Sequence, residues 1–223
     1  MDVFARARRM MVDGQLRTND VTNPHLIAAV QDVPRERFVP PEKADLAYID
    51  SDLAVQPAGP ERPARYLLKP LVLAKLIEIA KVAPTDRALD VGCTTGYSTA
   101  VLARLAASVV AVEEEPALAK AAAENLAAIG IENATVRTGP LTAGAPTDGP
   151  FDVILINGAV EFLPEALTAQ LAEGGRLVCV MKRGPVGRGM VFYASGGHVS
   201  GRSEFDAAAP VLPGFARAPA FVF

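Results

Sequence analysis

From residue 87 onward, short apolar runs alternate with longer amphipathic or alanine-rich runs, and this alternation limits the fold more than any other feature of the sequence. Ala88–Val91, Val109–Val112, Ala134–Arg137, Val153–Ile156 and Arg176–Met181 have the length and composition of buried strands. Between them, Tyr97–Ala106, Pro116–Ile129 and Pro164–Ala172 carry helical patterns. Pro116 suits a first helical turn, Gly130 follows the end of its helix, and Gly174-Gly175 closes the third. Alternating units of this length predict an α/β fold with a mostly parallel sheet covered on both faces.

The flanking segments differ. Arg6–Leu16 has a helical pattern, and Asn23-Pro24 opens a short helix, His25–Gln31, that stops at Val33-Pro34. Phe38–Pro41 is expected to be extended or turned, and the three prolines of Ala54–Pro63 predict a loop. Lys69–Val82 reads as a mostly buried helix ended by Pro84. Near the other end, Ser195-Gly196-Gly197 between Met190–Ala194 and His198–Phe205 predicts an antiparallel hairpin. Pro210–Phe223 reads as a sheet-edge strand. These segments predict one domain over residues 1–223. Residues 1–83 form its N-terminal helical cap and loop region, and residues 84–223 its α/β core.

Composition narrows the function classes. Half of the 223 residues are hydrophobic and 21% are charged, which argues for a packed core and against disorder. The net charge of −3 argues against a nucleic-acid or anionic-membrane partner, and Lys182, Arg183 and Arg188 make only a small basic loop. No apolar run has the length of a bilayer span. The arginines at 6, 8 and 9 have no apolar stretch behind them, so no secretory signal is expected. Cys93 and Cys179 are far apart, and only His25 and His198 accompany them, so no metal site is expected and a reducing cytoplasm is the plainest compartment.

Leu89-Asp90-Val91-Gly92-Cys93-Thr94-Thr95-Gly96-Tyr97 follows a predicted strand and opens a predicted helix. Glycines there let the backbone turn sharply and approach a ligand beyond the carboxyl ends of the strands. A dinucleotide fingerprint fails at two positions, Thr94 and Tyr97. The methyltransferase pattern, acid-x-Gly-x-Gly-x-Gly, is met by Asp90, Gly92 and Gly96 and departs at Thr94. Glu113 ends the second strand of the alternating region, 21 residues beyond Gly92, where a carboxylate can accept both hydroxyls of a ribose.

Longer stretches point the same way. Gln15-Leu16, Val33-Pro34-Arg35-Glu36-Arg37-Phe38-Val39-Pro40, Ala47-Tyr48-Ile49-Asp50, Gly96-Tyr97 with Thr99-Ala100-Val101-Leu102-Ala103, Phe151-Asp152, and Gln170-Leu171 through Gly174-Gly175-Arg176-Leu177-Val178 together resemble the protein-L-isoaspartate (D-aspartate) O-methyltransferases. The resemblance implies a Rossmann-like fold with a seven-stranded sheet. It implies S-adenosylmethionine as cofactor and a protein or peptide substrate whose isoaspartyl carboxylate accepts the methyl. On that reading the Gly92–Gly96 backbone, with Cys93 and Thr94, cradles the methionine part of the cofactor. Asp90 fixes the turn, Glu113 holds the ribose, Gly139-Pro140 flanks the adenine and Asn157 lies near the methyl. Arg65, Leu68 and Lys69 fall in the substrate loop, where Arg65 and Lys69 would attract an anionic substrate.

The departures from the family pattern are specific. Leu68 stands at the family's loop serine, Pro140 at an acid that commonly meets the adenine, and Thr94 at a glycine. They keep two alternatives open: a methyltransferase of the same fold with another acceptor, and a cofactor-binding or regulatory protein without catalysis. No residue is identified as an acid–base catalyst.

Overall fold

The computed structural model describes residues 2–60, 62–184 and 186–217. Helix α1 (Val3–Met11) starts where the Asp2 side chain accepts the Phe4 N–H, and its chain continues through a wide turn, Val12–Leu16. Helix α2 (Pro24–Asp32) is capped by Asn23, whose side-chain oxygen accepts from the N–H groups of His25 and Leu26. Two tight 3₁₀ segments follow, Arg35–Phe38 and Pro41–Leu46. Strands β1 (Leu53–Gln56) and β2 (Arg65–Leu67) then pair antiparallel in a small sheet of their own. Helix α3 (Pro70–Ala80) leads into the alternating region.

That region runs β3 (Arg87–Val91), α4 (Tyr97–Ala103), β4 (Ser108–Glu113), α5 (Pro116–Ala128), β5 (Ala134–Thr138), β6 (Phe151–Val160), α6 (Glu165–Thr168), β7 (Leu171–Arg183), β8 (Val186–Ser195) and β9 (His198–Asp206). The seven-stranded sheet has the order β5-β4-β3-β6-β7-β8-β9. Pairing is parallel from β5 through β7 and antiparallel from β7 to β9. Strand order reverses at β3, which lies between β4 and β6: the chain first moves outward through β4 and β5, then crosses to the other side with β6. Such a switch point opens a crevice beyond the carboxyl ends of the two central strands. Leu89, Val91, Ile154, Ile156 and Leu177 pack on one face of the sheet, and Ala88, Val153, Leu155 and Val178 on the other, as period-two strands buried on both sides require.

Several expectations are corrected. The stretch Ala54–Pro63 is not wholly loop, because Leu53 and Ala54 pair with Leu67 and Tyr66 and Gln56 with Arg65. The helix expected over Pro164–Ala172 is a single turn, since the Gln170 carbonyl accepts the Phe151 N–H at 2.8 Å and draws the backbone into the sheet. The C-terminal segment is not an edge strand: Val211 makes one parallel bridge to Ala159, inside the sheet's carboxyl end. Phe221-Val222-Phe223 lie outside the described residues.

The N-terminal third is bolted to the sheet beyond the carboxyl end of β3. Phe38 meets Tyr97 edge-on at 5.6 Å between ring centres, and its carbonyl accepts the Thr95 hydroxyl. Arg35 is fully buried, donating from Nε to the Ala47 carbonyl and from Nη2 to the Leu68 carbonyl, both at 2.7 Å. Its guanidinium stacks 4.6 Å from the Tyr97 ring. Among the described residues no helix is long and apolar enough to cross a membrane, and no three His, Cys, Asp or Glu side chains group around a metal position. Phe38→Ala removes the ring that joins the cap to α4. Urea denaturation is expected to show a loss of about 3–5 kcal/mol.

Candidate ligand site at the switch point

The turn after β3 is held by backbone bonds to the neighbouring strand, with the N–H groups of Gly92 and Cys93 donating to the Val112 carbonyl at 2.8 and 3.3 Å. Gly92 and Gly96 have φ of +81° and +97°. An added Cβ at Gly96 would lie 3.2 Å from that of Ala122 on α5, so the turn can close only on glycine. Thr94 also has positive φ, +51°. The backbone therefore keeps a left-handed conformation at the position where the methyltransferase pattern carries glycine, although a β-branched residue occupies it.

Asp90 is fully buried, and its Oδ2 accepts from the hydroxyls of Ser98 and Thr99, both at 2.7 Å. Asn157, on β6, donates from Nδ2 to the Ser98 hydroxyl at 2.7 Å. One polar chain thus links β3, α4 and β6. Burial raises the Asp90 carboxyl to about 6, against the opposing effect of the two hydroxyls. Cys93 is buried and its thiol is pushed well above its ordinary value by burial. Cys179, also free and buried, is pushed up to about 12. Neither is an activated nucleophile.

Glu113 is fully buried at the end of β4. Its two oxygens take a forked ion pair from Arg65, Nη1 to Oε1 at 2.5 Å and Nη2 to Oε2 at 2.9 Å. They also accept the backbone N–H groups of Thr94, Glu114 and Glu115 at 2.8–3.2 Å. Arg65 is 1% exposed, so the expectation that it faces an anionic substrate is corrected: the fork is spent on Glu113 inside the protein. Leu68 is buried in the cap-side core and Lys69 precedes α3, with its N–H on the Asp52 carboxylate. Gly139 donates its N–H to the Glu113 carbonyl, while Pro140 is exposed.

One participant carried no motif. The segment Pro210–Phe215 crosses the end of β6, with the Ala159 N–H on the Pro210 carbonyl and the Leu212 N–H on the Ala159 carbonyl. It drives Leu212 onto two glycines: a Cβ at Gly92 would lie 3.2 Å, and one at Gly158 2.6 Å, from that side chain. Arg65, Leu212 and their neighbours leave a cavity of only about 10 Å³, room for one water. Yet three buried polar atoms have no partner, Asn157 Oδ1 on a residue that lines this cavity and Asp90 Oδ1 and Thr94 Oγ1 at the glycine turn beside it. Orphaned groups clustered at a glycine turn fit a polar ligand. The polar surroundings suit a nucleoside-containing cofactor; the space for one is filled by Arg65 and Leu212.

The fold and this turn define a Rossmann-like methyltransferase architecture. A family model for protein-L-isoaspartate(D-aspartate) O-methyltransferases matches residues 6–193. A protein-L-isoaspartate O-methyltransferase of Methanoregula boonei is 42% identical over 171 residues, 77% of this chain and 76% of that protein. One of Rhodopseudomonas palustris, protein-L-isoaspartate O-methyltransferase 1, is 41% identical over 78% of this chain and 69% of its own length. A solved protein-L-isoaspartate O-methyltransferase superposes with a TM-score of 0.79 at 25% identity, covering 94% of this chain; the chain spans 65% of its length. A Plasmodium falciparum structure solved in complex with S-adenosyl-L-homocysteine shares the fold, with a TM-score of 0.76 over 95% of this chain and 99% of that one, at 18% identity. The chain belongs to the protein-L-isoaspartate (D-aspartate) O-methyltransferase family.

Two outcomes follow from the turn. The folded state holds a proton on Asp90 up to about 6, against 3.8 for an ordinary aspartate. Between those values the folded state binds more protons than the unfolded one, so stability falls as pH rises, by about 3 kcal/mol in all. Asp90→Asn is expected to remove that slope in denaturation series between pH 4 and 6. Thr94→Gly relieves the positive φ and deletes an unpartnered hydroxyl, and a gain of about 1 kcal/mol is expected in thermal melts.

Proposed function

We propose that this protein is an S-adenosylmethionine-dependent carboxyl methyltransferase acting on isoaspartyl residues of damaged proteins or peptides in the cytoplasm. The observation that carries the proposal is the site's polar set in a chain of this family: Asp90 and Glu113 buried on either side of a positive-φ glycine turn, with three orphaned polar atoms facing it. The Gly92–Gly96 backbone, with Cys93 and Thr94, would hold the methionine part. Asp90 would fix the turn and meet the amino group through water, and Glu113 would accept the ribose hydroxyls. Gly139-Pro140 would flank the adenine, and Asn157 would lie nearest the methyl. When bound, the cofactor supplies a sulfonium methyl open to in-line displacement.

The acceptor is a carboxylate already ionised at neutral pH, so the protein needs no general base. Its task is positioning and exclusion of water. Asn157 suits this role because its amide is fixed through Nδ2 while Oδ1 remains without a partner. The buried α4 behind the turn, from Tyr97 to Ala103, gives the site a rigid dry wall.

One observation favours a second reading, a different acceptor. Leu68 replaces the family's loop serine, is 1% exposed, and has its carbonyl tied to Arg35. It offers an acceptor no hydroxyl and no freedom to reorient. Transfer of labelled methyl from S-adenosylmethionine to an isoaspartyl peptide, with the normal aspartyl peptide as control, tests the primary reading. Base-labile label on the isoaspartyl peptide alone is the expected result. Binding of the cofactor without transfer would move the assignment to another acceptor.

A further inference from the structure

We propose that Arg65 and Leu212 form an internal, displaceable plug that closes the cofactor crevice until a ribose-bearing ligand replaces the Arg65 guanidinium at Glu113. This rests on the cofactor reading above and concerns how that site opens.

Three observations carry it. The first is the chemistry at Glu113. Withdrawing Arg65 alone would leave a fully buried carboxylate without its counter-ion, a change that is strongly unfavourable. A vicinal diol avoids the full penalty, because its two O–H groups can replace the two parallel N–H donors on the same two oxygens, while the N–H groups of Thr94, Glu114 and Glu115 stay in place. The guanidinium fork thus holds the place that a ribose edge would fill. The second observation is where the plug is carried. Arg65 lies on β2, which among the described residues pairs only with β1, so its displacement breaks no ladder of the seven-stranded sheet. Leu212 lies on a segment outside the named strands, joined at the end of β6 by one β-bridge at Val211 and, among the described residues, by three backbone hydrogen bonds, two to Ala159 and one to Glu161. The third is a waiting acceptor for the released charge: Glu114 is 3.7 Å from Arg65 Nη1 and its side chain is 28% exposed. On opening, Arg65 moves from the buried carboxylate to the one at the mouth.

Leu212 acts at the other half of the crevice. Its side chain lies against both Gly92 and Gly158, the surface that glycine leaves bare for close approach of a ligand. Only its departure opens the space between β3 and β6. Affinity for the cofactor is then the intrinsic affinity reduced by the fraction of molecules already open.

Calorimetric titration with S-adenosylhomocysteine on wild type, Leu212→Ala and Arg65→Gln tests this. Leu212→Ala keeps the ion pair, so it serves even if Arg65→Gln fails to fold. The expected result is binding about ten-fold or more tighter in Leu212→Ala than in wild type. In hydrogen-exchange measurements, amides of residues 65–67 and 210–215 should exchange faster in the wild type when ligand is added, while those of 92–96 slow. Equal affinity in wild type and Leu212→Ala, with no change in exchange at 65–67 and 210–215, would overturn the plug and leave the methyltransferase reading intact. Absence of binding in all folded variants would overturn both.

Discussion

The chain of hydrogen bonds through Asp90 is the constraint on which the rest of the site depends. A single buried carboxylate oxygen orients Ser98 and Thr99, and Ser98 in turn orients Asn157. Two neighbouring strands, β3 and β6, and the helix α4 that covers them are thereby fixed around one point. The turn from Gly92 to Gly96 has no freedom to wander, since its start is bonded to β4 and its end is packed on α5. Ser98, Thr99 and Asn157 take their positions from this knot. A carboxyl held near neutrality by burial is what such a knot demands, because a dry interior disfavours the charge that two hydroxyls only partly stabilise.

The N-terminal third works from the opposite side. Among the described residues Arg35 has no ion-pair partner; it donates from Nε and Nη2 to the carbonyls of Ala47 and Leu68 and lays its flat face on Tyr97. It therefore joins the cap, the segment before α3 and the helix behind the cofactor turn. The Val-Pro-Arg-Glu stretch is structural glue in this respect, and Glu36 extends it by accepting from Arg8 and from the Tyr48 hydroxyl.

Much of this was legible in the sequence where the signal is periodic. The centres of β3, β4 and β5, helix α5 with Pro116 in its first turn, and the antiparallel pair β8–β9 follow from apolar runs and turn residues. Glu113 and the glycine turn come together because both end adjacent parallel strands, and the Thr94 N–H donates to Glu113 at 2.8 Å. What escaped is what depends on contacts distant in sequence. Arg65 and Glu113 are 48 positions apart, and Leu212 reaches Gly92 from the far end of the chain. One local signal existed: β2 buries Arg65 and Leu67 on the same side, and an arginine at an inward strand position calls for a buried counter-ion. The shortened α6 was missed because Gln170, a residue compatible with a helix, is claimed by the sheet.

The forked pair between Arg65 and Glu113 also ties together two strands that belong to separate sheets. A replacement on either side strands a charge in a dry interior, at a penalty of about 3–5 kcal/mol set against a typical total stability of about 5–15 kcal/mol. Neither position can drift alone without using up much of the margin that keeps the chain folded. Rebuilding the β1–β2 hairpin without an arginine at 65 would leave the Glu113 carboxylate buried and unpaired unless that acid were replaced with it.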